Sequence, residues 1–502
     1  MTTKTKSIET EHATPGSSLA RPPVIIWFRN DLRLADHRAL AAAIGTGAPV
    51  MPAYILDDVS PGTWKLGGAS RWWLAQSLAE LEQAIAARGG KLTLRRGAAR
   101  VVLPKLVAEC GATAVYFTRC YEPWAVALER ELKATFDAVN VAFKRYSGFL
   151  LREPEDVRTK TGDVYKVYTP FWRALSEGYA PPKPIAAPSQ LVAPAKWPLS
   201  DDIGDWYLTP SKPDWANGWN QLWRPGEAGA QARLDDFLKT ALEGYKEDRN
   251  RPDKTGTSRL SPHLHFGEIS PAACWRAAST AAAKQSGLDQ DYETFLKELV
   301  WREFSTSLLF HWPDLPEVPF RKDFAAFPWM ENAAHVTAWQ RGRTGYPIVD
   351  AGMRELWTTG YMHNRVRMVV ASFLIKHLLI PWQVGEAWFW DTLLDADLAN
   401  NAASWQWVAG SGADAAPYFR IFNPMTQGEK FDPDGAYVRR FVPELAKLPN
   451  ADIHAPWLAP AEILKAAGVT LGANYPHPIV DHAAARARAL GAYEAVKVAA
   501  QS

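Results

Sequence analysis

Cysteine is scarce in this chain: Cys110, Cys120 and Cys274 are the only three among 502 residues. Three scattered thiols exclude a disulfide framework, a zinc ribbon and a four-thiolate iron–sulfur cluster. They suit a reducing cytoplasm, which is the expected location. No apolar run approaches the roughly 18 residues of a membrane-spanning helix, so no membrane partner is expected. Neither sign of charge dominates. The 56 basic and 54 acidic residues leave a formal +2, so a nucleic-acid site has to be a local cluster. Residues 1–21 carry no charged segment leading into an apolar core, which speaks against a secretion signal, and they read as a loose polar tail. Also missing are a Gly-x-Gly-x-x-Gly turn after a strand, the Walker A spacing and a His-Glu-x-x-His pair. Their absence excludes the usual dinucleotide fingerprint, the phosphate-binding P-loop and the common zinc-hydrolase helix.

Tryptophan is what the chain has in excess, with 23 residues, most of them beyond residue 160. So many large rings either fill a core or serve a planar ligand. The length suits two to four domains. Short apolar runs at 23–28, 50–56, 92–95 and 114–118 alternate with helical periodicity at 39–44, 70–88, 100–109 and 124–136. That rhythm predicts a doubly wound parallel sheet over residues 22–150. Residues 151–225, rich in proline, aspartate and tryptophan, read as a long ordered connector over the surface. Residues 226–480 form an irregular helical domain with helices expected at 228–242, 292–310, 348–358, 362–379 and 385–394. The class is thus α/β plus all-α. Residues 481–502 close the chain as an alanine-rich helix with no evident chemistry.

Several segments of the second half bring reactive groups together. Glu298, Trp301 and Arg302 stand at i, i+3 and i+4 and share one helix face, either as an ion pair beside a core ring or as an acid, a ring and a base for a ligand. Asn364, Arg365, Arg367 and Met368 gather amide, guanidinium and thioether groups, a set suited to a flat ligand and its phosphates. The run Thr255-Gly256-Thr257-Ser258-Arg259-Leu260-Ser261-Pro262 could wrap a diphosphate or form an ordinary capped turn. His263 and His265 have no third ligand nearby, so no metal site is expected. Asp395-Ala396-Asp397, followed by Asn400 and Asn401, could hold Mg²⁺, act as acid and base, or accept hydrogen bonds from a ribose and a ring N–H. Gly410-Ser411-Gly412-Ala413-Asp414-Ala415 matches a dinucleotide loop weakly, because no strand precedes it.

Seven motifs in order resemble the photolyase and cryptochrome flavoproteins: Trp27-Phe28-Arg29-Asn30-Asp31-Leu32-Arg33-Leu34, Thr257-Ser258-Arg259-Leu260-Ser261, Trp301-Arg302-Glu303-Phe304, Thr344-Gly345-Tyr346-Pro347-Ile348-Val349-Asp350, Met362-His363-Asn364-Arg365, Asp395-Ala396-Asp397-Leu398 and Trp405-Gln406-Trp407. The resemblance implies an α/β domain, a linker and a helical domain that folds around FAD, active as FADH⁻. It implies that Tyr245 and Thr257 to Ser261 meet the phosphates and ribitol, and that Arg302 lies beside the flavin. Asp395 and Asp397 meet its ring and ribose edges, Asn401 faces N5, and Phe295, Glu298, Asn364 and Ala396 complete the wall. Phe295 departs from some bacterial relatives, which carry tryptophan there. Trp405, Trp382 and Trp329 match the chain that conducts electrons from the surface to photoexcited FAD.

The same resemblance implies a lesion pocket. Trp301 and Trp407 line it, Glu298, Asn364 and Met368 contact a flipped-out dimer, and Arg365 and Arg367 hold the flanking phosphates. Asparagine and methionine at 364 and 368, where enzymes for the (6-4) photoproduct carry two histidines, point to cyclobutane pyrimidine dimers in UV-damaged DNA as substrate. Plant-type cryptochromes, the alternative blue-light photoreceptors, put aspartate at the position of Asn401, lose the pocket tryptophan and add long tails. Glu122 resembles the carboxylate that meets a methenyltetrahydrofolate antenna. A monomer is expected.

Overall fold

The computed structural model describes residues 21–414 and 419–499. Most of the N-terminal tail, residues 500–502 and Ala415 of the glycine-rich segment lie outside the described residues. The first domain is a five-stranded sheet, all parallel, in the order β3-β2-β1-β4-β5. Its strands are β1 (Val24–Phe28), β2 (Val50–Leu56), β3 (Thr93–Arg96), β4 (Ala114–Thr118) and β5 (Ala142–Tyr146). β1, β2 and β4 are buried along their whole length, as strands covered by helices on both faces must be. β5 escaped the sequence reading because it is an edge strand with Lys144 and Arg145 exposed, which dilutes its apolar signal.

The connector is not a surface strap. Trp206, Trp219 and Trp223 are buried in the core beneath the sheet, and the indole N–H groups of Trp219 and Trp223 donate to the carbonyls of Thr358 and Thr359 at 2.9 and 2.8 Å. Earlier in the same segment, the helix Tyr168–Ser176 gives Tyr168, Phe171 and Leu175 to the core of the helical domain. Its tryptophans therefore clamp the two domains, a role that irregular periodicity concealed.

The Arg-Asn-Asp-Leu-Arg-Leu run after β1 docks the domains and does no chemistry. Leu32 N–H donates to the Phe266 carbonyl at 3.0 Å, and Arg33 Nη1 donates to the Gly267 carbonyl at 2.8 Å. Glu227 accepts from the backbone N–H groups of Leu34 and Ala35. Gly267, at φ +63°, has to be glycine, because a Cβ there would stand 2.1 Å from the Asn30 carbonyl oxygen. His263 is spent here too: it bonds Glu268, which also accepts from Trp73 Nε1 at 2.9 Å.

The helical domain is built around the 23-residue helix Asp289–His311. The helix expected over 362–379 is shorter: His363 caps Asn364–Ser372, and a single π turn, Phe373–His377, follows. Helices Trp382–Thr392 and Leu398–Ala409 pack so closely that a Cβ on Gly385 would sit 2.1 Å from the Trp405 ring. The terminal helix His482–Ala499 buries Ala485, Ala489, Ala492 and Val496.

Candidate active site

Asp397 caps the Leu398–Ala409 helix, its Oδ1 accepting from the N–H of Asn400 at 2.9 Å. Its Oδ2 lies 3.6 Å from His265 Nδ1. Burial alone would raise its pKa, but His265, Arg302 and the Asn400 N–H together hold it down to about 2. Asp395 pairs with Arg367 at 2.9 Å, and Arg367 Nε also donates to the Met362 carbonyl. Arg367 is thereby committed inside the domain and does not reach out to hold DNA phosphate, which corrects the expectation for that residue. One turn on, Asn401 donates its amide to the Glu386 carbonyl at 2.9 Å, leaving its own carbonyl oxygen with no partner among the described residues.

These residues fit FAD on their own chemistry. Asp395 Oδ1, Arg302 Nη2 and His265 Nε2 are buried with no hydrogen-bond partner among the described residues. Orphans of this kind are costly unless a polar ligand meets them. Arg302 lies over the Phe149 ring at 3.9 Å and donates to the Phe149 carbonyl, so it ties the end of the α/β domain to the helical domain. Ala396 and Leu260 are buried, and Phe295 packs on Phe237 and on Tyr245 at 4.8 and 5.9 Å. The hydroxyls of Thr257 and Ser261 meet no described residue, and Arg259 turns the loop at φ +50°. Two carboxyls belong to this neighbourhood. Glu122, at the head of helix Pro123–Asp137, is raised by burial and by Asp397, which puts it at the domain junction. Glu386 is buried with neither oxygen bonded, and burial, with a smaller push from Glu317, raises its carboxyl well above the usual range. The sequence reading missed Glu386; its only signal is a lone carboxylate between Gly385 and Phe389 on an otherwise apolar face.

A second group of side chains forms a rim. Glu298 pairs with Arg249 at 2.9 Å; burial pushes its carboxyl up, while Arg249 and Arg365 pull it down. Arg365 donates to Asn250 Oδ1 and lies 3.6 Å from Met368 Sδ. Asn364 is exposed beside them. Trp301 stacks on Tyr168 with ring centroids 3.6 Å apart and planes at 5°. The Tyr168 N–H donates to Asp414 Oδ2, and the Asp414 carbonyl accepts from Trp407 Nε1 at 3.0 Å, so both tryptophans hang from one anchor. Burial, then Arg365, Arg367, Arg259 and Arg249, force the neighbouring His363 down to about 3, which marks a strongly positive mouth. Arg249, Asn250 and Tyr168 were not foreseen.

Trp405 and Trp382 are buried in one apolar cluster, with Trp329 packed against its edge. The Trp405 ring meets Phe389 at 5.0 Å and Trp339 at 6.3 Å. Among the described residues no three His, Cys, Asp or Glu side chains converge as a metal site, and no helix is long and apolar enough to cross a membrane.

Residues 24–189 match the family model described as DNA photolyase, and residues 295–495 match the FAD binding domain of DNA photolyase. A deoxyribodipyrimidine photo-lyase of Agrobacterium fabrum is 55% identical over 480 residues, covering 96% of this chain and 99% of that protein. Cryptochrome-1 of Arabidopsis thaliana is 39% identical over 92% of this chain and 69% of its own length. The crystal structure of a bacterial class III photolyase from Agrobacterium tumefaciens superposes with a TM-score of 0.93 at 54% identity, covering 97% of this chain and all of that one. With the motifs, the partnerless buried polar groups and the fold in agreement, the chain belongs to the DNA photolyase and cryptochrome family.

Proposed function

We infer that this protein is a light-dependent DNA photolyase that repairs cyclobutane pyrimidine dimers. The observation that carries the reading is the rim: an acid, an amide, a thioether and two anchored indoles around an arginine-rich mouth beside buried polar groups suited to FAD. Bound reduced FAD would supply, under blue light, the single electron that splits the dimer and would recover it afterwards. The protein's part is to extract, position and stabilise. Trp301 and Trp407 offer ring faces to two fused neighbouring pyrimidines that have left the stack. Tyr168 backs Trp301, so the exposed face is held ready. Glu298, whose carboxyl burial pushes up against the pull of Arg249, would hydrogen-bond a pyrimidine carbonyl on which negative charge accumulates. Asn364 offers an amide to the same edge, and Arg365 meets the flanking phosphates. Asn401 and Asp395 orient the flavin ring, Asp397 its ribose, and Tyr245 with Thr257 to Ser261 the phosphate side. Trp405, Trp382 and Trp329 carry the electrons that return oxidised FAD to its working state.

For the antenna we propose methenyltetrahydrofolate, with Glu122 as its carboxylate contact. Support comes from the place of Glu122 at the domain junction, where burial and Asp397 raise its carboxyl. An absorption spectrum of the purified protein tests this, because a folate and oxidised flavin absorb at separable wavelengths. Glu122→Gln should lose the folate band and keep the flavin; an unchanged folate band would move the antenna elsewhere.

A further inference from the structure

We propose that Tyr493, on the terminal helix His482–Ala499, is the last electron donor of the relay, reducing oxidised Trp329 and releasing its phenolic proton to water. The proposal rests on the tryptophan relay described above. Trp329 packs against two apolar clusters at once. One holds Trp405 and Trp382; the other holds Phe324, Phe327, Phe419 and the buried face of the terminal helix, with Tyr493 against it. Ring contacts run without a break from Trp329 to Phe327 at 4.3 Å, from Phe327 to Phe419 at 6.0 Å, and from Phe419 to Tyr493 at 4.5 Å with planes at 7°. Phenylalanine is too hard to oxidise to hold the charge, so these rings serve as packed medium between an indole and a phenol.

Chemistry singles out Tyr493 among the described tyrosines near these clusters. The hydroxyl of Tyr346 donates to the Val480 carbonyl, that of Tyr437 to Glu355 and that of Tyr475 to Asp350, each inside the fold. Tyr493 is half-buried and its hydroxyl has no partner among the described residues, so water can take the proton. The charges around the path are compatible with an arriving hole. Lys376 lies over the Phe419 ring with burial holding its amine well below the usual lysine range, and Lys497, over the Tyr493 ring, is paired with Glu494 at 2.8 Å. In the step, one electron passes from the Tyr493 phenol to the Trp329 radical cation; Trp329 is restored, Tyr493 becomes a neutral radical, and one proton enters solvent. Return of the electron then needs that proton back, which prolongs the charge separation.

The test is flash excitation of the holoenzyme carrying oxidised FAD, followed by time-resolved absorption and by electron paramagnetic resonance of freeze-trapped samples. The wild-type protein should show a tryptophan radical giving way to a neutral tyrosyl radical. Tyr493→Phe, which keeps the stacked ring, should lose the tyrosyl signal, retain the tryptophan radical and show a several-fold drop in net flavin photoreduction, while repair by chemically pre-reduced enzyme is unchanged. Tyr346→Phe should leave the tyrosyl signal in place. A tyrosyl radical persisting in Tyr493→Phe, or a wild-type tryptophan radical with no tyrosyl successor, overturns the proposal. Absence of any tryptophan radical overturns the relay itself and this extension with it.

Discussion

The rim and the relay are both built from tryptophan, yet they are opposites. At the rim each ring is tied by polar contacts: Trp301 lies on Tyr168, and Trp407 bonds the same Asp414 that holds Tyr168. One face of each ring is thereby stiffened and the other left for a ligand. In the relay Trp382 and Trp405 are enclosed by apolar side chains, 1% and 2% exposed, where nothing competes for a transient charge. Residue type does not separate the two uses; surroundings do. A ring on a polar anchor is a platform, and a ring in a dry cluster is a conductor or plain core.

The comparison breaks most visibly at Trp405. Replacing it with Phe keeps an aromatic ring and removes the oxidisable indole, so photoreduction should fall on the order of tenfold or more, while repair by pre-reduced enzyme survives. Photoreduction at the wild-type rate would reduce Trp405 to core. At the rim, Trp301→Ala should weaken binding of dimer-containing DNA by about 1–3 kcal/mol through lost stacking, with photoreduction untouched; titration of the variant against irradiated oligonucleotides reads this. Gly385→Ala pushes a methyl into Trp405 and should cost about 1–3 kcal/mol of stability through overpacking, measured by denaturant unfolding.

The smallest effect concerns pH. Because the Asp397 carboxyl is held at about 2 in the fold against roughly 4 when unfolded, its contribution is complete above about pH 4 and is lost as pH falls toward 2. Asp397→Asn should flatten the acid limb of the stability curve in that window and nowhere else. An acid limb unchanged in the variant would contradict the assignment.

Much of this was legible before the fold. The parallel sheet followed from alternating periods, and the Asp-x-Asp-Leu run marked the start of the helix that Asp397 caps and that carries Asn401. Arg367 was misjudged because spacing puts it on a helix face with Arg365 without revealing that Asp395, distant in sequence, lies within 2.9 Å. The connector tryptophans were misjudged because irregular backbone carries no period to announce burial. Tyr168, Arg249 and Glu386 act through partners far along the chain, and no local pattern records such pairings.

The measurement that tests the account most directly is the fate of the two main UV lesions. Reduced holoenzyme under near-UV light, given irradiated thymine oligonucleotides, should clear cyclobutane dimers and leave (6-4) products intact, since Asn364 and Met368 supply no imidazole proton donor at the rim. Preferential clearance of (6-4) products, or no clearance of either by enzyme holding reduced FAD, would contradict it, the latter outcome moving the protein to the photoreceptor side of its family.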